Sequence, residues 1–156
     1  MTVHHWGPSD EIAVLGSGNM GSGIAQAVAQ AGFRVRVRDL TDEQLARGRA
    51  SVEKTLDGAI RRGKLSAAQR EEILGRITFT TNLSEALEGS RLVVEAVFEE
   101  EAVKAALFRE VAPLVAEDTI VATNTSSLSV TRLGKDFPHP GRFALKTWRN
   151  WAAGGR

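Results

Sequence analysis

Gly16, Gly18 and Gly21 lie within six residues of one another, in the stretch IAVLGSGNMGSGIAQ. Glycine loses more freedom on ordering than any other residue, roughly 0.5–1 kcal/mol relative to alanine in a regular element. A chain that concentrates that cost in one place needs bare backbone there. The run follows an apolar segment and opens a helix-like pattern, the G-x-G-x-x-G arrangement that cradles a dinucleotide. Gly16 allows a tight turn, Gly18 lets the main chain approach a pyrophosphate, and Gly21 lets helix and strand pack closely. The helix N-terminus adds unpaired N–H groups and about half a positive charge. The same glycine pattern also serves as a plain strand-to-helix connector, so its context decides.

Asp39 ends the next apolar run, 23 residues after Gly16, near the spacing of about 20 at which an acid reads the adenosine ribose. A carboxylate there accepts from both ribose hydroxyls and repels a 2′-phosphate, which favours NAD over NADP. Arg38 beside it could pair with a phosphate. Arg34, Arg36 and Arg38 share one strand face, however, where their stems can lie on the sheet with the charges in water. Glu95 interrupts the apolar run in LVVEAVFEE. Charge in a buried strand is expensive except at its end, so Glu95, Ala96 and Glu99 belong at the carboxyl end. Asn124, Thr125, Ser126 and Ser127 follow the strand-like TIVAT, with capping of a short helix as the alternative role. Ligands of open α/β sheets bind at the carboxyl ends of strands. The glycine turn, Asp39, Glu95, Glu99 and the Asn-Thr-Ser-Ser turn all converge on that edge.

Other chemistry-bearing residues are weaker pointers. Arg61, Arg62 and Lys64 cluster where a helix should end, which suits the helix dipole or a phosphorylated ligand such as coenzyme A. The three histidines, His4, His5 and His139, have no carboxylate partner that can be placed. HHW is too short and isolated for a metal site, and no metal is expected.

The elements that must position these residues alternate. Strands are expected at IAVLG, at FRVRVRD (residues 33–39), at ITFT, at RLVVEAV, at TIVATN and at RFALK. A helix over 19–31 carries Met20, Ile24, Val28 and Ala31 at helical spacing. TDEQ opens a long helix in the manner of a capping box, with Leu45, Val52, Leu56 and Ile60 on one stripe and Gly63 at its end. Ser66 to Gln69 repeats the cap for a helix to about Leu74. A further helix over 100–115 buries Val103, Leu107 and Val111, and 129–133 forms a short one. Strand and helix in alternation imply crossover units and a parallel sheet, an α/β fold with an inserted helical hairpin over 42–74.

Composition bounds the rest. The chain has 156 residues, 42% hydrophobic and 25% charged, enough for one domain with a real core. A net charge of +1 gives no field that would recruit nucleic acid or an anionic membrane. The absence of cysteine excludes disulfides and thiolate chemistry and fits a reducing compartment. No apolar run reaches the 18 or so residues of a membrane span. MTVHHWGPSD lacks the apolar core of a secretion signal. A cytoplasmic protein is expected, with a flexible leader (1–10), one domain (11–145) and a separate tail (146–156).

Taken together, IAVLGSGNMGSGIAQAVAQAGF, VRDLTDEQL, LVVEAVFEEEAVKAALF and ATNTSSLSVTRL resemble the NAD-binding domain of the 3-hydroxyacyl-CoA dehydrogenases, in order and at matching separations from about Glu11 to Phe143. The resemblance implies a Rossmann-type doubly wound parallel sheet. It implies hydride transfer between NAD and a 3-hydroxyacyl-CoA. Gly16, Ser17, Gly18, Asn19, Met20 and Gly21 would then hold the pyrophosphate and Asp39 the adenosine ribose. Glu99 and Lys104 match positions near the nicotinamide end. Ser126 matches the serine that contacts the substrate's 3-oxygen beside the nicotinamide. Thr55 and Arg62 match positions that contact coenzyme A, with arginine in place of the family's lysine, which keeps the charge and alters the geometry.

The resemblance breaks after Arg142 and Phe143. The family continues with a glycine, a catalytic histidine, two phenylalanines, an asparagine and a proline. This chain reads RFALKTWRNWAAGGR, with Thr147 at the histidine position and only Asn150 matching. The expected consequences are cofactor binding without turnover, an apolar patch left for self-association or for pairing with an intact homologue, and a tail that reads as a frameshift or truncation product.

Overall fold

The computed structural model describes residues 5–125, 128–135, 137 and 140–145. Its elements run β1 (Glu11–Leu15), α1 (Asn19–Gln30), β2 (Arg34–Arg38), α2 (Asp42–Arg61), α3 (Ala67–Gly75) and β3 (Ile77–Thr80). They continue with α4 (Leu83–Leu87), β4 (Ser90–Glu95), α5 (Glu101–Val111), β5 (Ile120–Thr123), α6 (Val130–Leu133) and β6 (Phe143–Leu145). The strands form one six-stranded sheet in the order β3-β2-β1-β4-β5-β6, and each neighbouring pair is parallel. This is the doubly wound Rossmann order, with the topological switch point between β1 and β4.

The alternation of side chains along β1 explains why its sequence is apolar throughout. Ile12 and Val14 enter one core with Ile24, Val28, Val35, Val37, Leu56 and Ile73, under α1, α2 and α3. Ala13 and Leu15 enter the other with Leu87, Val93, Leu107, Phe108, Val121 and Leu133, under α4, α5 and α6. In β2 only Val35 and Val37 face a core; the three arginines point the other way. Arg36 Nη1 donates to the carbonyls of Glu85 (2.9 Å) and Glu88 (2.7 Å), and Arg38 Nε to that of Thr81 (3.3 Å). Arg36 therefore bonds the carboxyl end of α4 and Arg38 the loop before it, rather than simply standing in water.

Two helical stripes differ from their expected phase. In α1 the buried face is Gly21, Ile24, Ala25, Val28 and Ala29, an i, i+3, i+4, i+7, i+8 set. Met20 is 51% exposed and Ala31 is also exposed. In α5 the face is Lys104, Leu107, Phe108 and Val111, while Val103 stands at 42% exposure. The apolar pattern pointed to Val103 because a lysine is not counted as core. That helix also stops at Val111, and a 3₁₀ turn carries Pro113.

The caps follow the expected chemistry. Thr41 Oγ1 accepts from Gln44 N at 3.2 Å. Ser66 and Gln69 bond reciprocally at 3.1 and 2.9 Å. The leader's described residues are tied down: Asp10 accepts from Gly7 N (2.7 Å) and pairs with Arg91 (2.9 Å), whose guanidinium lies 4.6 Å from the Trp6 ring centroid. Among the described residues no helix is long and apolar enough to cross a membrane.

Candidate functional site

A parallel sheet puts every strand's carboxyl end on one edge, so the segments after β1, β2, β4 and β5 must meet there. After β1 the chain turns at Gly16, whose φ of +108° is a conformation L side chains rarely adopt. A Cβ on Gly16 would lie 2.5 Å from the Ala96 carbonyl oxygen, and one on Gly21 would lie 1.8 Å from the Gly16 oxygen. A Cβ on Gly18 meets nothing within 4 Å. Gly16 and Gly21 are thus demanded by packing, and the space above Gly18 is open.

Gly18 is the N-cap of α1 and provides no side-chain bond to it, and the first turn carries no acidic residue. The leading N–H groups of Asn19, Met20 and Gly21 have no intrahelical acceptor, as at any helix start. By contrast, α2, α3 and α4 are capped by Thr41, Ser66 and Asn82. Asp39 stands beside this start. Its Oδ2 accepts from Ser17 N (2.7 Å) and Ser17 Oγ (2.6 Å), and its Oδ1 from Leu40 N (2.8 Å). Met20, Leu40 and Phe98, which follow β1, β2 and β4, are 51%, 69% and 77% exposed. An uncapped helix start, a fixed carboxylate and apolar flanks are what a nucleotide with a diphosphate, a ribose and a flat ring would need.

At the end of β4, Glu95 is wholly buried, as is Lys104 of α5, and the two are bonded at 2.6 Å. Glu99, at the edge, accepts from Thr125 Oγ1 and lies 3.2 Å from Lys104 Nζ. Thr125 also accepts from Leu128 N (3.0 Å), ahead of α6, while Ser129 Oγ accepts from Arg132 N (3.3 Å); Ser129 therefore caps α6, and Thr125 closes the turn before it and contacts Glu99. Thr55 bonds its own helix at Ser51 O (3.0 Å) and, with Asn19 and Ser22, lines a cleft of about 300 Å³ between α1 and α2. Arg62 is the C-cap of α2 and folds back over Gly58. Ser126, Ser127, His4, His139, Thr147 and Asn150 lie outside the described residues. Among the described residues no cluster of three metal-ligating side chains occurs.

Sequence reading missed Gly48, in the middle of α2. A Cβ there would lie 2.7 Å from Ser17 O and 2.8 Å from Ser17 Cβ, so α2 seats directly on the glycine turn. The available signal was a glycine inside an otherwise good helix. In an open helix Gly→Ala gains about 1 kcal/mol. Here the neighbour is backbone, so Gly48→Ala is expected to reverse that sign and destabilise by about 1–2 kcal/mol, the usual overpacking range; urea unfolding reads it directly.

Residues 11–151 match the family described as "3-hydroxyacyl-CoA dehydrogenase, NAD binding domain". The chain is 42% identical over 133 residues to a probable 3-hydroxybutyryl-CoA dehydrogenase of Deinococcus radiodurans, covering 85% of this chain and 47% of that protein. It is 38% identical to the 3-hydroxyadipyl-CoA dehydrogenase of Escherichia coli, covering 85% of this chain and 28% of that one. Among solved structures, (S)-3-hydroxybutyryl-CoA dehydrogenase PaaH1 from Ralstonia eutropha superposes with a TM-score of 0.85 at 34% identity, over 88% of this chain and 48% of that one. The chain thus spans less than half the length of these relatives.

Proposed function

The chain belongs to the 3-hydroxyacyl-CoA dehydrogenase family, as its NAD-binding domain, and from that premise we propose that it binds NAD(H) at the carboxyl edge of the sheet without turning over substrate alone. The uncapped start of α1 beside Asp39 carries this reading. The N–H groups of Asn19 and Met20 would hold the diphosphate, over the open space at Gly18. Asp39 would take the ribose hydroxyls, and Glu99, with Lys104 behind it, would border the nicotinamide end. When bound, NAD supplies the hydride acceptor for a 3-hydroxyl group.

The chain's own residues would have to hold the acyl-CoA and take the hydroxyl proton. Thr55 and Arg62 are the proposed coenzyme A contacts, and Ser126 the hydrogen-bond partner of the 3-oxygen. Neither Ser126 nor Thr147 can act as a base at neutral pH, and general acid–base help is worth about 10²–10⁴-fold. NADH is expected to raise the thermal midpoint, since a ligand at 100 times its Kd adds about 2.7 kcal/mol. Acetoacetyl-CoA with NADH is expected to give no loss of absorbance at 340 nm. An unmoved midpoint at millimolar NADH would remove the reading; oxidation of NADH would remove its inactive half.

A second reading, a non-catalytic partner of an intact homologue, draws on the exposed apolar residues Met20, Leu40, Phe98 and Val103. Co-purification with a full-length dehydrogenase separates it from the first. A cytoplasmic location is part of the same proposal, and the cysteine-free sequence supports it.

A further inference from the structure

Ser17 stands where the glycine turn, α1 and α2 meet, and it is buried. Its hydroxyl oxygen lies 2.6 Å from Asp39 Oδ2 and 3.0 Å from the Gln44 carbonyl oxygen in the first turn of α2. A hydroxyl has one proton to give, so the two acceptors compete, and among the described residues it has no third. The main chain of Ser17 is held from both sides. Its N–H donates to Asp39 Oδ2 (2.7 Å), and its carbonyl accepts from Ser22 Oγ of α1 (2.7 Å). Gly48, one turn further along α2, lies so close that a Cβ there would sit 2.8 Å from Ser17 Cβ. The backbone of Ser17 is therefore fixed, and its hydroxyl proton alone is left to turn.

Without nucleotide the carboxylate takes that proton, because hydrogen bonds to ionised acceptors are the stronger ones. Two donors of Ser17 then converge on Asp39 Oδ2. A ribose hydroxyl at Asp39 brings a donor of its own to the same oxygen and releases the Ser17 proton. The Gln44 carbonyl has a second lone pair beyond its helical bond and is the acceptor that remains. We infer that Ser17 relays occupancy of the ribose site to α2: a nucleotide at Asp39 adds one bond between the glycine turn and the first turn of that helix. Ser17 is in this respect a positioning residue, acting through Asp39 and Gln44. The relay rests on the proposed nucleotide site. Since α2 is one continuous helix of 20 residues and carries Thr55, with Arg62 at its end, a firmer seat for its first turn also steadies the proposed coenzyme A contacts. NADH then tightens coenzyme A, and by linkage coenzyme A tightens NADH by the same factor.

The wild type and Ser17→Ala are compared, alanine keeping the Cβ on which Gly48 rests. Each is titrated with NADH by fluorescence, alone and in saturating coenzyme A, which has no keto group to reduce. The ratio of the two dissociation constants is the readout, so a change in NADH affinity itself does not enter. Amide hydrogen exchange over 44–52 is followed with and without saturating NADH. In the wild type, NADH is expected to slow exchange over 44–52 about fivefold beyond the slowing shared by the sheet, the scale of one hydrogen bond, and coenzyme A to tighten NADH about threefold. In Ser17→Ala the excess slowing is expected to vanish and the ratio to fall to one. A hydroxyl that served only the fold would lower the thermal midpoint and leave both effects in place, and that result overturns the relay. A wild type that binds NADH and shows no excess slowing overturns it too, and decides the matter if the variant folds poorly. Excess slowing in the wild type alone, without any response to coenzyme A, supports the relay as far as α2 and removes Thr55 and Arg62 as its far end. A wild type that does not bind NADH at all sinks the nucleotide reading itself, and the relay with it.

Discussion

Gly21→Ala is expected to destabilise the domain by about 4 kcal/mol or to prevent folding, whereas Gly18→Ala is expected to spare the fold and cost the nucleotide. The two positions are three residues apart in one motif, yet different forces hold them. A Cβ at Gly21 would sit 1.8 Å from the Gly16 carbonyl oxygen, inside any van der Waals contact. The obstacle is backbone in a turn that already has Gly16 at φ +108° and in contact with Ala96, so it cannot move without lifting α1 from β1. Losses of 4 kcal/mol are exceptional for one methyl group, and they are a large part of the 5–15 kcal/mol that stabilises a domain. At Gly18 a Cβ meets nothing within 4 Å, and φ −65°, ψ −168° suits any residue. Alanine there costs less than about 1 kcal/mol as a poorer cap. It stands, however, where the proposed site brings a diphosphate to the main chain, so NADH is expected to bind at least about tenfold more weakly, a loss of about 1.4 kcal/mol. Urea unfolding and NADH titration of both variants give the crossed result. Equal NADH affinity in the wild type and Gly18→Ala would move the diphosphate away from this turn.

What the sequence made legible follows the same division. The spacing of the glycines, the acid after β2 and the caps at Thr41 and Ser66 are local devices. Each is recognisable because one residue type serves one backbone requirement. The edge on which the candidate residues meet was also readable, since parallel strands leave no other arrangement for their carboxyl ends. Relations between elements distant in sequence were not. Gly48 is remarkable only through its distance to Ser17, and α4 is too short, at five residues, to show a period. From sequence Arg36 is indistinguishable from a solvated charge, because its acceptors are main-chain carbonyls 49 and 52 residues on. Glu95 was placed correctly at a strand end, but its partner was hidden within the helix that follows. Lys104 occupies an apolar stripe at i, i+3, i+4 and i+7 with Leu107, Phe108 and Val111, and a pattern search for apolar faces passes over it in favour of Val103.

Asp39→Asn is expected to erase the chain's choice between cofactors. The wild-type carboxylate is held before any ligand arrives: Oδ2 accepts from Ser17 N and Ser17 Oγ, and Oδ1 from Leu40 N. A carboxylate offers about four acceptor sites, so three bonds leave room for a ribose hydroxyl. The Ser17 hydroxyl has one proton and two acceptors within reach, Asp39 Oδ2 at 2.6 Å and the Gln44 carbonyl at 3.0 Å. An incoming ribose hydroxyl can therefore replace it at Asp39 while Ser17 turns to Gln44, and no bond is lost. A 2′-phosphate brings negative charge against the same oxygen. The nearest cation in sequence, Arg38, is engaged with the Thr81 carbonyl on the β3 side and does not offset it. Asparagine keeps the volume and an acceptor for Ser17 N, which protects the turn; it gives up the bond from Leu40 N, at a 69% exposed residue where water can replace it, and removes the charge. Bonds to charged groups are worth about 1.5–3 kcal/mol, so NADH is expected to weaken about 10–100-fold. NADPH, freed from like-charge repulsion, is expected to hold or improve. The wild-type preference for NADH would then shrink to within about tenfold by paired fluorescence titrations, with the thermal midpoint of the free protein little changed. A variant that loses both cofactors equally would mean that Asp39 shapes the glycine turn and does not read the sugar.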